Sequence, residues 1–463
     1  MFQGKHIIAV GLGYGDEAKG ATVDWLGARV PDAAAVVRWS GGAQAAHNVI
    51  HGAVHHTFRQ FGSATLLDLR TFLKAPMLVD PLMLGVEAEQ LAKLGVIDPL
   101  GLITADPAAL LTTPIHRAMN RAREILRGAN RHGSTGMGIG ETVAYDLAVR
   151  QGAAAGDLVG NFRAPGAVMA GVDAPRVGML RDRARLVQAL DALAFFAAPL
   201  VAQVADEDVE MPEVGELADA LVEIGAHLNI PADFDAELGA ALAAGTVIFE
   251  GAQGVLLDEY AGFHPHTTWA RVTPGALRAE LIAAGHEVFT LGITRAYMTR
   301  HGDGPMPSEA ALDLPELHNT DGRYMGGMRA GHLDLPALRY AAAACGGLDG
   351  IAVTHLDALD GGQVRAVDRW ELADGRVLEN PAELVVDAGL AVAAGELPPG
   401  VLWDRFAGEI TGPAAADARG LFAGGKIGEE MTPDLALQLI EAATGAKVRI
   451  VANGPTRNHR KPL

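Results

Sequence analysis

The stretch KHIIAVGLGYGDEAKG (Lys5–Gly20) decides how this chain is interpreted. Its apolar run at 7–10 has the length of one buried strand, and residues 22–29 have the pattern of a helix. Between them lie three closely spaced glycines, at Gly11, Gly13 and Gly15. A strand, a glycine loop and a helix often form a phosphate-binding site, because backbone N–H groups and the helix N-terminus face the anion.

Two charged side chains in this loop suit nucleotide chemistry. Lys19 supplies a positive charge, and the Asp16 carboxylate can hold a magnesium ion or accept a proton. The spacing departs from the P-loop pattern G-x-x-x-x-G-K-[ST], because Ala18 and Gly20 occupy its second glycine and its hydroxyl position. A tight strand-to-helix turn without a ligand therefore remains the alternative for this loop.

The composition is that of a large acidic globular protein. The 463 residues are 49% hydrophobic and 20% charged, and the formal net charge is −19. An acidic surface disfavours nucleic acid and anionic membranes as partners. The single cysteine, Cys345, excludes an internal disulfide framework, as in a reducing compartment. The longest apolar run, near 193–204, is too short for a membrane span, and the N-terminus has no signal-peptide pattern, so we expect a cytoplasmic protein.

A second glycine turn is followed by a histidine. Residues 34–39 predict a buried strand, Gly41 and Gly42 end it, and His47 follows. A lone histidine is more often a structural hydrogen-bonding group, and its place after the double glycine favours a functional one. Three more histidines lie nearby, at His51, His55 and His56. No cysteine accompanies them and their spacing matches no standard zinc pattern, so an exposed strand pair is favoured over a metal cluster.

Other segments predict scaffold. Residues 75–80 predict a strand, and a proline-initiated amphipathic helix follows over 81–94. Residues 181–245 are alanine-rich, acidic and helical in pattern, with a break around 209–215 and no motif. Two more strands are predicted at the starts of 247–258 and 351–360, which continue into the motifs E-G-A-Q-G and T-H-L-D.

Taken in order, these motifs resemble those of the adenylosuccinate synthetase family. GDEAKG and VVRWSGGAQAAHNV are similar to the family patterns G-D-E-G-K-G and V-V-R-x-x-G-G-x-N-A-G-H-T, and VIFEGAQGVLLD is similar to E-G-A-Q-G-T-L-L-D. Later segments follow in the family's order: HGSTGMGIG, LGITRAYMTRHGDGPMPSE, DGRYMGGMRAGHLD, THLD and IVANGPTRNH. The resemblance implies one α/β domain over 1–463, with a large, mostly parallel central sheet flanked by helices, in a P-loop-NTPase-like adenylosuccinate synthetase fold. Residues 181–245 would be a helical, variable subregion.

The resemblance also implies a GTP-dependent ligase. GTP phosphorylates the 6-oxo group of IMP, and L-aspartate then displaces phosphate to give adenylosuccinate. Such phosphoryl transfer depends on positioning and charge stabilisation. The implied cofactor is Mg²⁺, the implied partners are these small molecules, and the implied assembly is a homodimer with shared active sites.

Site residues follow from the same resemblance. Asp16 takes the N1 proton and coordinates magnesium, Lys19 stabilises the phosphates, and His47 acts as a general acid at the 6-oxygen. The carbonyl of Ala46 is a second magnesium ligand. The implied GTP-binding residues are Gly15, Glu17, Ala18, Gly20, His355, Asp357 and Gly454. Among them, Asp357 recognises guanine. The implied substrate-binding residues are Gln44, Thr135, Gln253 on the purine, Thr268, and the aspartate-binding Arg323 and Arg329.

Departures from the family pattern concentrate on the acceptor and amine side. Met137 replaces an arginine, and Val149 aligns with the arginine that reaches the neighbouring subunit's phosphate, with Arg150 next to it. The segment 321–334 has fewer arginines than its family counterpart. Two alternatives stay open: a paralogue that uses the same activation on another acceptor or amine, and a GTP-binding protein without catalysis. The intact Asp16 argues against the second.

Overall fold

A computed structural model describes most of the chain. The described residues are 2, 4–128, 131, 133–159, 162–206, 209–263, 266–314, 323–324, 326–371, 375, 377–379, 419–422 and 431–463. Parts of two predicted loops, including residue 132 and residues 321–322, therefore lie outside the described residues.

Helices and strands alternate along the chain. The helices are α1 (Lys19–Arg29), α2 (Pro81–Lys93), α3 (Pro114–Arg127), α4 (Ile139–Gln151), α5 (Arg183–Val201), α6 (Val214–His227), α7 (Phe234–Ala244), α8 (Gly275–Ala283), α9 (Leu335–Ala344) and α10 (Pro433–Thr444). The strands are β1 (His6–Gly11), β2 (Ala33–Arg38), β3 (His47–His51), β4 (Val54–Phe58), β5 (Arg70–Leu73), β6 (Ile103–Ala105), β7 (Leu158–Val159), β8 (Phe162–Arg163), β9 (Thr246–Gly254), β10 (Val288–Arg295), β11 (Met298–His301), β12 (Met328–Gly331), β13 (Leu333–Asp334), β14 (Gly350–Thr354), β15 (Ala366–Glu371), β16 (Val377–Leu378), β17 (Arg419–Phe422), β18 (Val448–Ala452) and β19 (Arg460–Pro462).

A nine-stranded sheet forms the centre of the molecule, in the order β19-β18-β14-β10-β1-β9-β2-β5-β6. All neighbouring strands are parallel except the edge strand β19, which is antiparallel to β18. Every residue of β1 is buried, because this strand lies between β9 and β10 and helices cover the sheet. The predicted α/β fold class is confirmed.

The prediction of a strand at 75–80 is wrong. The strand at this place is β5, several residues earlier, and Val79 makes only an isolated bridge. Pro76 lies within the expected strand and has no N–H group for a ladder hydrogen bond, which accounts for the shift. The helix that follows was predicted well: Asp80 caps α2 by accepting a hydrogen bond from the Met83 amide at 3.1 Å.

The helical segment 181–245 contains α5, α6 and α7, with the expected break between the first two. By length and composition α5 passes the test for a membrane-spanning helix, although the apolar run noted near 193–204 is shorter than a span. Half of its apolar window is buried, and it packs against α3 and α6, as a core helix does. Burial of Leu193 and Phe196 in this core explains why the sequence is so apolar.

The predicted strand pair after the double glycine is the β3–β4 hairpin. His51 and His55 are exposed as expected, whereas His56 is buried against Phe58. Among the described residues, no group of three or more His, Cys, Asp or Glu side chains could hold a metal ion.

Helix α1 begins three residues earlier than predicted, directly after a residue in the left-handed conformation. Ala18 has φ 62° and ψ 41°, a region that costs a residue with a Cβ roughly 1 kcal/mol or more. We therefore expect Ala18→Gly to raise the free energy of unfolding by about 1 kcal/mol in chemical denaturation. The control Ala21→Gly lies inside α1 and should lower it by about the same amount; a loss of stability in Ala18→Gly would contradict the interpretation.

Helix α1 approaches the β3–β4 hairpin closely at one glycine. A Cβ on Gly20 would lie 2.5 Å from the Cβ of His47 and 2.9 Å from the hydroxyl oxygen of Ser63. We expect Gly20→Ala to lower the free energy of unfolding by about 1–3 kcal/mol through overpacking. The control Gly239→Ala adds a methyl group to α7 where no atom lies within 4 Å, and it should stabilise by roughly 0.5–1 kcal/mol. Equal effects of the two substitutions would exclude a close contact at Gly20.

Candidate functional site

The carboxyl ends of the parallel strands meet at one edge of the sheet, and many of the residues that follow them line a large cavity. Its volume is about 780 Å³. The predicted site residues in its wall are Gly15, Asp16, Ala18, Lys19, Gly20, Gln44, Ala46, His47, Thr135, Gln253, Thr268, His355, Asp357 and Gly454. Those outside its wall are Glu17, Arg323 and Arg329. A cleft at this edge is where open α/β sheets bind their ligands.

The glycine loop after β1 is shaped by a buried carboxylate. Oε1 of Glu17 accepts hydrogen bonds from the amides of Gly13 at 3.0 Å and Gly15 at 2.9 Å, and Oε2 accepts one from Nζ of Lys19 at 2.6 Å. The amides of Gly13 and Gly15 are therefore engaged by the Glu17 side chain, and phosphate binding by the loop stays a prediction. Cβ atoms on Gly11 or Gly254 would overlap with it, so the glycines provide its space.

His47 belongs to a buried hydrogen-bonded group that sequence reasoning missed. Its Nδ1 lies 2.5 Å from Oε1 of Glu250, in β9. Ser63 donates to the same carboxylate twice, from its amide to Oε2 at 2.9 Å and from its hydroxyl to Oε1 at 2.5 Å. Glu250 is fully buried, and a glutamate inside the apolar run VIFEG was the available signal.

The charges of this group follow from burial and neighbours. Burial lowers the pKa of His47, against the attraction of Glu250. Burial by itself would raise the pKa of the Glu250 carboxyl. The charges of His47 and Arg38 and the hydrogen bonds that the carboxylate accepts outweigh burial and lower this pKa to about 2. The neighbouring charges and hydrogen bonds therefore keep the Glu250 carboxyl ionised at neutral pH.

Asp16 lies at the mouth of the glycine loop in a conformation that residues with a Cβ seldom adopt, with φ 62°. Its carbonyl accepts a hydrogen bond from Nε of Arg295 at 2.6 Å, and its Oδ2 lies 3.5 Å from Nε2 of His301. Both partners line the cavity, and neither was predicted. The Asp16 side chain remains about a quarter exposed, so its carboxylate is available to a ligand.

Three predicted nucleotide-binding side chains in the cavity wall carry buried polar atoms without a hydrogen-bond partner among the described residues. These atoms are Nε2 and Oε1 of Gln44, Oε1 of Gln253 and Oδ1 of Asp357. Gln253 also has φ 61°. Buried polar groups are almost always paired, so unpaired ones that line a cavity indicate a site for a polar ligand.

The oxygen donors at the cavity fit magnesium. Asp16 offers a carboxylate and Ala46 a backbone carbonyl, both of them hard oxygen ligands. Magnesium is commonly bound by one or two protein carboxylates together with substrate phosphates and water. A small protein donor set is therefore compatible with this ion.

The two arginines expected to bind a dicarboxylate are engaged elsewhere. The guanidinium of Arg329 donates to Glu309 at 2.6 Å and to the carbonyls of Gly302 and Gly304. Arg323 is half exposed and pairs with Asp206 at 2.7 Å. Their role in substrate binding stays a prediction.

Two further cations lie in the cavity wall. Arg123 and Arg127 project from α3 into its wall, where they pair with Glu141 at 2.6 Å and Glu124 at 2.7 Å. Sequence reasoning missed them, although their i, i+4 spacing on one helix face was visible. Met137 also lines the cavity.

The family's subunit-bridging arginine aligns with Val149, and Arg150 follows it. Neither side chain lines this cavity. Val149 packs against the hydrophobic core. Arg150 pairs with Asp146 of the same helix at 2.6 Å and is mostly exposed.

Comparisons with known proteins agree over nearly the whole chain. The family model described as adenylosuccinate synthetase matches residues 8–398. The adenylosuccinate synthetase of Ralstonia nicotianae is 30% identical, and the match covers 98% of this chain and 96% of that protein. The adenylosuccinate synthetase of Aliivibrio fischeri is also 30% identical, and the match covers 98% of this chain and 97% of that protein.

Solved structures show the same fold. The fully ligated adenylosuccinate synthetase of Plasmodium falciparum superposes with a TM-score of 0.72 and 19% identity, over 99% of this chain and 100% of that one. A cyanophage S-2L succinoaminodeoxyadenylate synthetase, bound to dGMP and dATP, superposes with a TM-score of 0.57 and 16% identity. The match covers 99% of this chain and 95% of that one. From the family match and the sequence identity, this chain belongs to the adenylosuccinate synthetase family, whose members are GTP-dependent ligases that form a C–N bond.

Proposed function

We propose that this protein joins L-aspartate to IMP in a GTP-dependent reaction that yields adenylosuccinate, GDP and phosphate. The observation that carries the proposal is the set of buried polar atoms of Gln44, Gln253 and Asp357 that lack a hydrogen-bond partner in the described part of the chain. They lie in the cavity that Asp16 and His47 also line. Family membership supports it. A cytoplasmic homodimer is part of the same proposal and rests on the family alone.

The chemistry follows from what each side chain offers. A purine 6-oxo group is a poor leaving group, and phosphorylation of its oxygen turns it into phosphate, which an amine can displace at C6. The partly exposed carboxylate of Asp16 accepts the N1 proton, which increases the negative charge on the 6-oxygen. His47 hydrogen-bonds this oxygen and the phosphoryl group in transfer, and the Lys19 ammonium adds positive charge at the loop.

Two further groups of residues bind the nucleotides. The carboxylate of Asp357 accepts hydrogen bonds from the guanine N1–H and N2–H₂ groups, which adenine cannot supply in the same arrangement. Arg123 and Arg127 place positive charge where the acceptor's phosphate would lie. Magnesium, held by Asp16 and the Ala46 carbonyl, would neutralise phosphate charge during the transfer.

The direct test is incubation of the protein with GTP, magnesium, IMP and aspartate, followed by measurement of GDP and of the succinyl product. We expect both to form in equal amounts. GDP formation with other acceptors or amines but not with IMP and aspartate would instead identify a paralogue with altered specificity, and no phosphate release with any acceptor would exclude a ligase.

Asp16→Asn isolates the proposed base. Asparagine tolerates the left-handed conformation and has the same shape, so the loop should keep its backbone. We expect kcat to fall by roughly 10²- to 10⁴-fold because the amide cannot accept the N1 proton. Steady-state kinetics with IMP measures this, and thermal unfolding checks that the fold persists. Wild-type kcat in this variant would show that another group is the base.

Asp357→Ala tests guanine recognition. Loss of the carboxylate should lower the ratio of kcat/KM for GTP to that for ATP by roughly 10- to 100-fold, because hydrogen bonds to the base are lost. Asp360→Ala, an exposed aspartate in the same turn, is the control and should leave the ratio unchanged. An unchanged ratio in both variants would place guanine recognition elsewhere.

A further inference from the structure

The edge strand β19 brings a buried arginine to the cavity. Because β19 is antiparallel to β18, its first residue, Arg460, lies beside the last residue of β18, Ala452. Arg460 is only 4% exposed, and it lines the cavity together with Asp357, Gly454 and Pro455. The topology therefore places a guanidinium group at the edge of the sheet where β14 and β18 end.

The hydrogen bonds of Arg460 within the protein use only part of its guanidinium. Nη1 donates to the carbonyl of Thr456 at 3.1 Å and to that of Pro455 at 3.4 Å. Nε is buried and has no hydrogen-bond partner in the described part of the chain. Every nitrogen of a guanidinium carries an N–H donor, and a buried donor without a partner costs roughly 1–3 kcal/mol. Support of the turn at 455–456 therefore explains one nitrogen of Arg460, and the unpaired donor indicates a ligand.

Two carboxylates lie near this guanidinium, and they differ in what they already bind. Burial lowers the pKa of Arg460 to about 10, against the attraction of Asp24 and Asp357, so the group stays charged at neutral pH. Arg457 already donates to both oxygens of Asp24, at 2.6 and 2.8 Å. Oδ1 of Asp357, in contrast, is buried without a hydrogen-bond partner among the described residues. Arg460 and Asp357 therefore form a cation and an anion that both have hydrogen-bonding capacity to spare.

Opposite charges in this arrangement suit one edge of guanine. That edge presents the acceptor O6 next to the donors N1–H and N2–H₂. Asp357 has the acceptor oxygens for the two donors, and Arg460 has the N–H group that O6 requires. Adenine would place its N6–H₂ donor against the guanidinium and its N1 lone pair against the carboxylate, so both contacts would be unfavourable.

A phosphate is the other common partner of an arginine, and the position of Arg460 disfavours it. The proposed phosphate-binding residue Lys19 follows β1, and β19 is four places away from β1 in the strand order of the sheet. The Asp357 carboxylate would also repel a phosphate bound to Arg460, whereas it tolerates an uncharged carbonyl oxygen. A contact with the base is therefore favoured over one with a phosphate.

We propose that Arg460 is a specificity-determining residue for the nucleoside triphosphate, and that its guanidinium donates a hydrogen bond to O6 of guanine beside Asp357. This inference deepens the proposed function and rests on it for the position of the base. It adds a second point of discrimination, at position 6 of the purine, to the one that Asp357 supplies at positions 1 and 2.

The test is isothermal titration calorimetry of nucleoside diphosphates with magnesium, which requires no turnover. The probes are GDP, inosine diphosphate, which lacks the 2-amino group, and 6-thio-GDP, in which sulfur, a weak acceptor, replaces O6. We expect the wild type to bind GDP more tightly than 6-thio-GDP. Arg460→Met should weaken GDP and inosine diphosphate by the same factor, roughly 10- to 100-fold, because both lose the bond to O6. It should weaken 6-thio-GDP much less, so the preference for oxygen over sulfur disappears.

Two control variants separate this effect from others. Lys461 is the next residue of β19, exposed and outside the cavity wall. Lys461→Met removes the same charge and should leave all three affinities unchanged. Asp357→Ala should instead lower the ratio of the affinity for GDP to that for inosine diphosphate and keep the preference for GDP over 6-thio-GDP.

An equal loss of affinity for all three diphosphates in Arg460→Met would overturn the inference, because a residue that only supports the turn at 455–456 would act in that way. Unchanged affinities would overturn it too. If Arg460→Met does not fold, the wild type decides, since equal binding of GDP and 6-thio-GDP excludes a donor at O6. Absence of ligase activity would refute the proposed function alone, and the binding ratios would still decide the role of Arg460.

Discussion

Parallel pairing of the central strands is the constraint on which the site depends. Strands that run in the same direction end at the same edge, so the loops after β1, β2, β9, β14 and β18 converge although they are far apart in sequence. Among the described residues, several separate segments of the chain contribute to its wall, and most of them follow a strand of the sheet, as in other open α/β sheets.

Two buried carboxylates keep those turns in place. Glu17 binds the amides of its own loop and Lys19, and Glu250 binds Ser63 and His47. Burial of an ionised carboxylate is costly unless charge and hydrogen bonds compensate, and both groups are fully supplied with donors. Removal of one partner would leave an uncompensated charge, so these pairs make the loop geometry specific as well as stable.

The two sides of the cavity differ in how far their polar groups are already satisfied. Atoms of Gln44, Gln253 and Asp357 lack partners among the described residues. Arg123 and Arg127, in another part of the wall, already pair with glutamates. An anion that bound to these arginines would have to compete with those carboxylates.

The sequence alone determined the β1 strand, the helix after it and many of the residues that reach the cavity, because apolar runs and glycine turns are local signals. It also carried the family motifs at Asp16, His47 and Asp357. It could not place the strand near 75–80, since a strand depends on a neighbour to pair with. Only the tertiary structure decided that Glu17 occupies its own loop amides and that Glu250 reaches His47 across 203 residues. Contacts of that kind depend on which strands become neighbours, and no local pattern encodes that choice.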